Sequence, residues 1–180
     1  MVSEARLQSS EHGLVPVGEG WFVLNARDAV WKDQAGRGAT CEFEGDPGFS
    51  QLGINLTVLA PGEPMTMYHW EADPEDFLVL TGKALLIVEG EECPLRQWDL
   101  VHCPAGTSHA IVGAGAAPCV VLAVGVRDSS TGSDWGGYTV AEAPLRHGAG
   151  VQQATSDPGA AYARFSKAVA TRHREGWLPR

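Results

Sequence analysis

The stretch Met65-Thr66-Met67-Tyr68-His69-Trp70-Glu71-Ala72-Asp73-Pro74-Glu75-Asp76-Phe77-Leu78-Val79-Leu80-Thr81-Gly82 decides how this chain reads. It sets His69, Glu71 and Glu75 within seven residues and then runs into an apolar segment. Side chains two apart on a strand share a face, so His69 and Glu71 point one way and Trp70 the other. Ala72-Asp73-Pro74 is a tight corner. From Glu75 a second strand carries Phe77 and Val79 on the face of Glu75. If the corner folds that strand back beside the first, Glu75 comes to lie near His69. Further on, Pro104-Ala-Gly-Thr-Ser-His109 supplies another histidine just after a turn, positioned to approach from a third strand.

Two imidazoles and two carboxylates are therefore expected to converge in apolar surroundings. Two His plus one carboxylate with open positions is the ligand set of non-haem Fe(II) oxygenases, and zinc also accepts it. Manganese, nickel and copper stay open, because metal choice depends on geometry and supply. The bland reading is that a lone His or Glu is a surface or hydrogen-bonded structural group. Against it, Glu75 opens an otherwise apolar strand, where an unpaired carboxylate is costly to bury. The expected metal ligands are His69, Glu75 and His109. Glu71 is open between a fourth ligand, a catalytic base and an ordinary acidic turn. Met67, Phe77 and Val79, on the ligand faces, are the candidate substrate-pocket residues; other methionines and aromatics are core by default. His102 and Cys103 are adjacent, so they face opposite sides of a strand, as a packed thiol and a histidine that either lies on the outer face or supports a metal ligand from behind. His147 and His173 sit in charged tracts and are expected to be solvated.

Working outward, Leu52, Ile54, Leu56 and Val58 alternate with Gly53, Asn55 and Thr57, the pattern of a half-buried strand. Ala84–Glu89, Trp98–Cys103, Ala110–Val112 and Cys119–Val126 follow, separated by Gly and Pro turns. Upstream, Trp21–Leu24 reads as a first strand, Asp28–Gly38 as a turn region and Thr40–Glu44 as a weak edge strand. Gly45–Gly48 reads as a turn and Asp128–Gly137 as a loop. Tyr138–Val140 adds one more strand. Ser156-Asp157-Pro158 reads as a helix start, with Tyr162, Phe165 and Val169 as the apolar stripe of a short C-terminal helix. Trp177-Leu-Pro is expected to dock the tail. Short strands at regular spacing, with no helix between them, indicate an antiparallel sandwich or barrel. The expected organisation is an N-terminal arm with leading strands over 1–49, a barrel with the metal site over 50–126, and a loop and helix packed on the barrel over 127–180.

Composition narrows the function classes. The 180 residues carry 13 Lys plus Arg against 22 Asp plus Glu, a formal charge of −9. With no basic run, nucleic acid and anionic membrane surfaces are not expected partners. No signal-peptide pattern or membrane-spanning apolar run is seen, so a cytoplasmic location is expected. Cys41, Cys93, Cys103 and Cys119 form no Cys-x-x-Cys pair, which excludes a zinc ribbon and predicts free thiols. No phosphate loop, nucleophile elbow or His-Glu-x-x-His helix is present.

These residues resemble two motifs of the cupin superfamily, Gly-x5-His-x-His-x3–4-Glu-x6-Gly and Gly-x5-Pro-x-Gly-x2-His-x3-Asn. Gly62, His69, Glu71, Glu75 and Gly82 answer to the first; Trp98, Pro104, Gly106, His109 and Gly113 answer to the second. The departures are Glu71 for the second histidine, Gly62 one residue early, and Trp98 and Gly113 for the second motif's Gly and Asn. The resemblance covers roughly residues 50–126. It implies an all-β jelly-roll barrel, usually a homodimer, holding one divalent ion on His69, Glu75 and His109. It implies no particular reaction, because the family spans dioxygenases, decarboxylases, isomerases, lyases and non-catalytic binders. The leading expectation is a metal-dependent enzyme on a small organic substrate, leaning to an oxygenase. The alternatives are an isomerase or lyase, a small-molecule sensor or carrier, and a structural cupin with an empty site.

Overall fold

The computed structural model describes residues 1–45, 48–127 and 135–179. A seven-stranded antiparallel sheet runs in the order β10 (Leu100–Cys103), β7 (Glu75–Thr81), β12 (Cys119–Val126), β5 (Leu52–Leu59), β4 (Gly38–Cys41), β3 (Val30–Gln34) and β14 (Val169–Arg172). A five-stranded sheet faces it, ordered β13 (Gly136–Tyr138), β6 (His69–Glu71), β11 (His109–Ala114), β8 (Lys83–Val88) and β9 (Glu91–Arg96). A hairpin of β1 (Arg6–Ser10) and β2 (Gly13–Val17) precedes them. Two short helices, α1 (Glu142–Arg146) and α2 (Pro158–Ala161), lie in the C-terminal part. The result is an all-β sandwich. None of its helices is long and apolar enough to cross a membrane among the described residues.

Alternation along the strands builds three layers of packing. Between the sheets lie Phe77, Val79, Val101 and Val121 from one side and Leu86 and Ile111 from the other. Each fully buried side chain of this size contributes roughly 1.5–3 kcal/mol. The outer face of the large sheet, with Trp31, Leu56, Val58 and Val120, is covered by Leu24 and the tail residues Trp177 and Leu178. Trp31 is fully buried and donates its indole N–H to the Ala26 carbonyl at 2.8 Å. The outer face of the small sheet, with Ile87, Ala110 and Val112, is covered by Tyr68, Ala143 and Ala149.

Several sequence expectations are corrected. Trp21–Leu24 is not a strand; Trp21 makes only an isolated bridge to Glu4, and the first strands are the β1–β2 hairpin. Asp28–Gly38 contains β3, whose Trp31 is a core residue flanked by charges. The next strand, β4, is internal between β3 and β5, not an edge. Strand β9 has no apolar alternation and carries Pro94; as a sheet edge it tolerates the lost N–H. The C-terminal helix is only one turn long. Asp157 caps it by accepting from the Gly159 N–H at 2.8 Å, but Val169 belongs to β14 and is exposed. Its apolar stripe is therefore not helical: Tyr162 and Phe165 pack beside Tyr138. The expected strand at 138–140 lies slightly earlier, as β13, because Tyr138 pairs with His69. The turn at 45–48 and the loop at 128–137 fall partly outside the described residues.

Candidate metal centre

The site is assembled across the sandwich. His69 on β6 and His109 on β11 are direct cross-strand partners in the small sheet, and Tyr138 of β13 pairs with His69 on its other side. Glu75 opens β7 in the opposite sheet. The 72–74 corner therefore does not fold β7 back beside β6; it carries the chain from one sheet to the other. Glu75 meets the histidines face to face across the interior, because two sheets with a shared core point their inner faces at each other.

Second-residue carbonyls orient both rings. His69 Nδ1 lies 2.8 Å from the Met67 carbonyl oxygen, and His109 Nδ1 lies 3.0 Å from that of Thr107. A carbonyl only accepts, so Nδ1 is the N–H on both rings and Nε2 is left to face the interior. His109 Nε2 is 3.1 Å and His69 Nε2 is 3.8 Å from Glu75 Oε2. The ligand atoms of His69, Glu75 and His109 all lie within 4.8 Å of one another. Both histidines are buried, at 4% and 2% exposure. Glu75 Oε2 and His109 Nε2 are also buried, and neither has a hydrogen-bond partner among the described residues.

Lone pairs facing each other in a dry interior are unfavourable; each unsatisfied group costs about 1–3 kcal/mol. A shared cation removes the conflict, and two candidates exist: a proton or a metal ion. Without a metal, the site draws a proton. Burial opposes charging of the His109 ring, but contacts with Cys103, Glu75 and the Thr107 carbonyl outweigh it and push the ring up to about 10. Two imidazole nitrogens and a carboxylate oxygen also fit a first-row divalent ion, with the Nδ1–H bonds to Met67 and Thr107 as its supporting shell.

Glu71 Oε1 lies 3.1 Å from His69 Nε2, so the acidic-turn carboxylate does reach the centre. It is more exposed than Glu75, at 28% against 17% of the side chain. The proposed pocket residues separate. Phe77 packs on His109, ring centres 5.3 Å apart, and Val79 is fully buried between the sheets. Met67 belongs to a different cluster, with Tyr138, Val151 and Ala161.

Three residues of the site were not anticipated. Cys103 pairs in register with Glu75, is 2% exposed, and favours the charged form of the His109 ring. Its parity with Val101, a core residue, is the signal that places it inside. His102 points outward to Asp76 at 2.7 Å. Trp135 and Tyr138 stack beside His69 at 6.2 and 5.7 Å. No local pattern links them to a histidine so far away in the chain. His173, expected in solvent, instead packs against Trp31 and Trp177, and burial followed by the nearby Arg27 charge lowers its pKa. His147 pairs with Glu92 at 3.0 Å.

No curated protein sequence matches this chain. Among solved structures, a putative sugar phosphate isomerase from Acidithiobacillus ferrooxidans is 32% identical over 43% of this chain and 51% of its own, with a TM-score of 0.42. A sugar phosphate isomerase from a cupin superfamily, from Silicibacter pomeroyi, is 28% identical over 57% of this chain and 62% of its own, with a TM-score of 0.47. The match thus spans half to three-fifths of those two proteins. The polyketide cyclase RemF from Streptomyces resistomycificus shares the fold at 16% identity, over 60% of this chain and 80% of its own, with a TM-score of 0.53. Residues 55–125, from β5 to the end of β12, match the family model described as Cupin domain. With both sheets of the sandwich and the inward histidines in place, residues 55–125 form a cupin domain.

Proposed function

We propose that the protein is a mononuclear metal-dependent enzyme acting on a small organic substrate, with His69, Glu75 and His109 as the metal ligands. One observation carries this reading: the buried lone pairs of Glu75 Oε2 and His109 Nε2 converge at 3.1 Å with no other partner among the described residues. When bound, a divalent ion would supply Lewis acidity and, if it is iron, redox chemistry at positions the three ligands leave open. The protein's part is positional. The Met67 and Thr107 carbonyls hold the two imidazoles in one tautomer. Phe77 and Tyr138 keep the histidines dry.

Oxygenase chemistry is the first form of this proposal, because two histidines and one carboxylate suit Fe(II) over harder ions. The second form rests on Glu71. Its carboxylate reaches the centre yet keeps solvent access, which suits a base that takes a proton from substrate, as an isomerase or lyase requires. Residues 50–126 are proposed as the unit that carries the centre, and a homodimer as the assembly.

Elemental mass spectrometry on tag-free protein, wild type beside His109→Ala, tests the centre. Near-stoichiometric metal in the wild type and none in the variant is the expected result. No metal in the wild type after reconstitution with Fe(II), Mn(II), Ni(II) and Zn(II) sinks the enzyme reading and leaves a non-catalytic binder. Oxygen uptake by the Fe(II) form across aromatic and thiol substrates separates the two chemistries. Glu71→Gln abolishes turnover only if Glu71 is the base or an essential ligand.

A further inference from the structure

The inner face of the large sheet changes character along its length. Lys32 on β3, Thr40 on β4, Thr57 on β5 and Val121 on β12 stand in register across four neighbouring strands. They share one face, and at Val121 that face is the apolar core. At the other end, Lys32, Thr40, Asn55 and Thr57 line a cavity of about 250 Å³ together with Arg37 and Glu42. At ~30 Å³ per water in the liquid, that is room for about eight waters or one small molecule. Thr57 is 2% exposed, and its hydroxyl lies 3.1 Å from that of Thr40 and 3.3 Å from Asn55 Oδ1.

Arg37 sits in the turn between β3 and β4. Its guanidinium donates to Gln34 Oε1 at 2.8 Å and to the Met65 carbonyl, and lies 4.2 Å from the Tyr162 ring centre. Among the described residues, two of its N–H groups have acceptors, of the five a guanidinium carries. Its Nε is buried without a partner. No carboxylate among the described residues pairs with it. Lys32 and Glu42, 2.7 Å apart, neutralise each other at the cavity wall. The charge left over is therefore that of Arg37, and a half-buried cation without a counterion is unfavourable. Burial accordingly lowers its pKa. Guanidinium N–H groups, two hydroxyls and a side-chain amide make a wall rich in donors, and a planar guanidinium matches an oxyanion two-to-two.

We propose that this cavity binds a small oxyanion, the carboxylate or phosphoryl group of a small molecule, with Arg37 as its counterion and Thr40, Thr57 and Asn55 as hydrogen-bond partners. The site is separate from the metal centre: none of its lining residues is a metal ligand, and it needs no metal. Tyr162, under the Arg37 guanidinium, accepts the Met67 N–H at 3.1 Å.

Thermal unfolding of the full-length protein tests this, in sodium phosphate, sodium acetate and sodium chloride at matched ionic strength. Phosphate or acetate at tenfold its dissociation constant is expected to raise the Tm by about 3–6 °C over chloride. Whichever of the two acts identifies the group recognised. Arg37→Gln removes the shift. Thr40→Val, which leaves the Arg37 contacts intact, weakens binding about tenfold to a hundredfold, the loss of one charge-assisted hydrogen bond. His109→Ala, which dismantles the metal centre, keeps the shift. Equal Tm values in all three salts overturn the proposal. An undiminished shift in Thr40→Val, or one lost in His109→Ala, does the same by placing the anion elsewhere.

Discussion

Strand β7 presents a carboxylate beside an imidazole on each face, and the two faces do different things with it. Outside, Asp76 pairs in register with His102, and their side chains meet at 2.7 Å. Inside, one residue along each strand, Glu75 pairs with Cys103 and meets His109 at 3.1 Å. The outer pair is open to solvent, at 60% and 46% side-chain exposure, so water and salt screen it. The inner group is dry, and its histidine is already turned by the Thr107 carbonyl so that a lone pair faces the carboxylate. A carboxylate beside an imidazole is an ordinary surface ion pair when wet. Buried, with both nitrogens assigned, it brings together two lone pairs that a cation would satisfy.

The largest effect expected from breaking this contrast is at the inner face. His109→Ala or Glu75→Gln should lower metal affinity by far more than the roughly 10–100-fold typical of a supporting residue, while His102→Ala leaves it unchanged. Equilibrium dialysis with Zn(II) and Fe(II) reads both. Equal losses in His102→Ala and His109→Ala would erase the distinction between the faces.

Proton linkage sharpens it next. In metal-free protein the His109 pKa is about 10, above the ordinary 6.5 of the unfolded chain. Its charged form therefore stabilises the fold fully below about pH 6.5, and that stabilisation is lost as pH rises towards 10. Metal-free Tm should fall over this window, with the fall absent in His109→Ala. A bound metal displaces the same proton, so affinity should rise with pH. Calorimetry in buffers of different ionisation enthalpy should show about one proton released near pH 8. Metal binding without proton release would mean that the ring is neutral before the ion arrives.

Cys103→Ser is a smaller perturbation of the inner face. Replacing a buried thiol by a more polar hydroxyl should cost about 1–2 kcal/mol in denaturant unfolding, against no measurable change for exposed Cys93→Ser. Smallest of all, His102→Ala should cost about 0.2–1 kcal/mol, an effect that high salt removes. A cost above that range would show the outer pair to be structural.

Much of the centre was readable because strand parity is local. His69 and Glu71 on one side of Trp70, and the apolar run after Glu75, needed only the two-residue period. The turn at Pro104–Gly106 announced His109 for the same reason: Gly106 adopts φ +82°, where glycine is unstrained. The departures from the family motif have structural readings too. Trp98 occupies the motif glycine's place at φ 75°, and Gly113 stands where an added Cβ would come 2.2 Å from the Ala60 carbonyl oxygen. What misled was compositional: β3 reads as a turn because its charged residues flank a single buried Trp31, and β9 hides its pairing behind Pro94.

The sequence by itself determined which side chains share a face, where the chain turns, and therefore that an all-β barrel would hold His69, Glu75 and His109. These follow from the stereochemistry of neighbouring residues, which is present in the order of the chain. Only the tertiary structure decided that Glu75 faces the histidines from the opposite sheet, that Cys103 and Tyr138 join them, and that Arg37 has no carboxylate partner among the described residues. Those relations join residues far apart in sequence, and they are set by how two sheets bury a common interior, a cooperative outcome that no local pattern records.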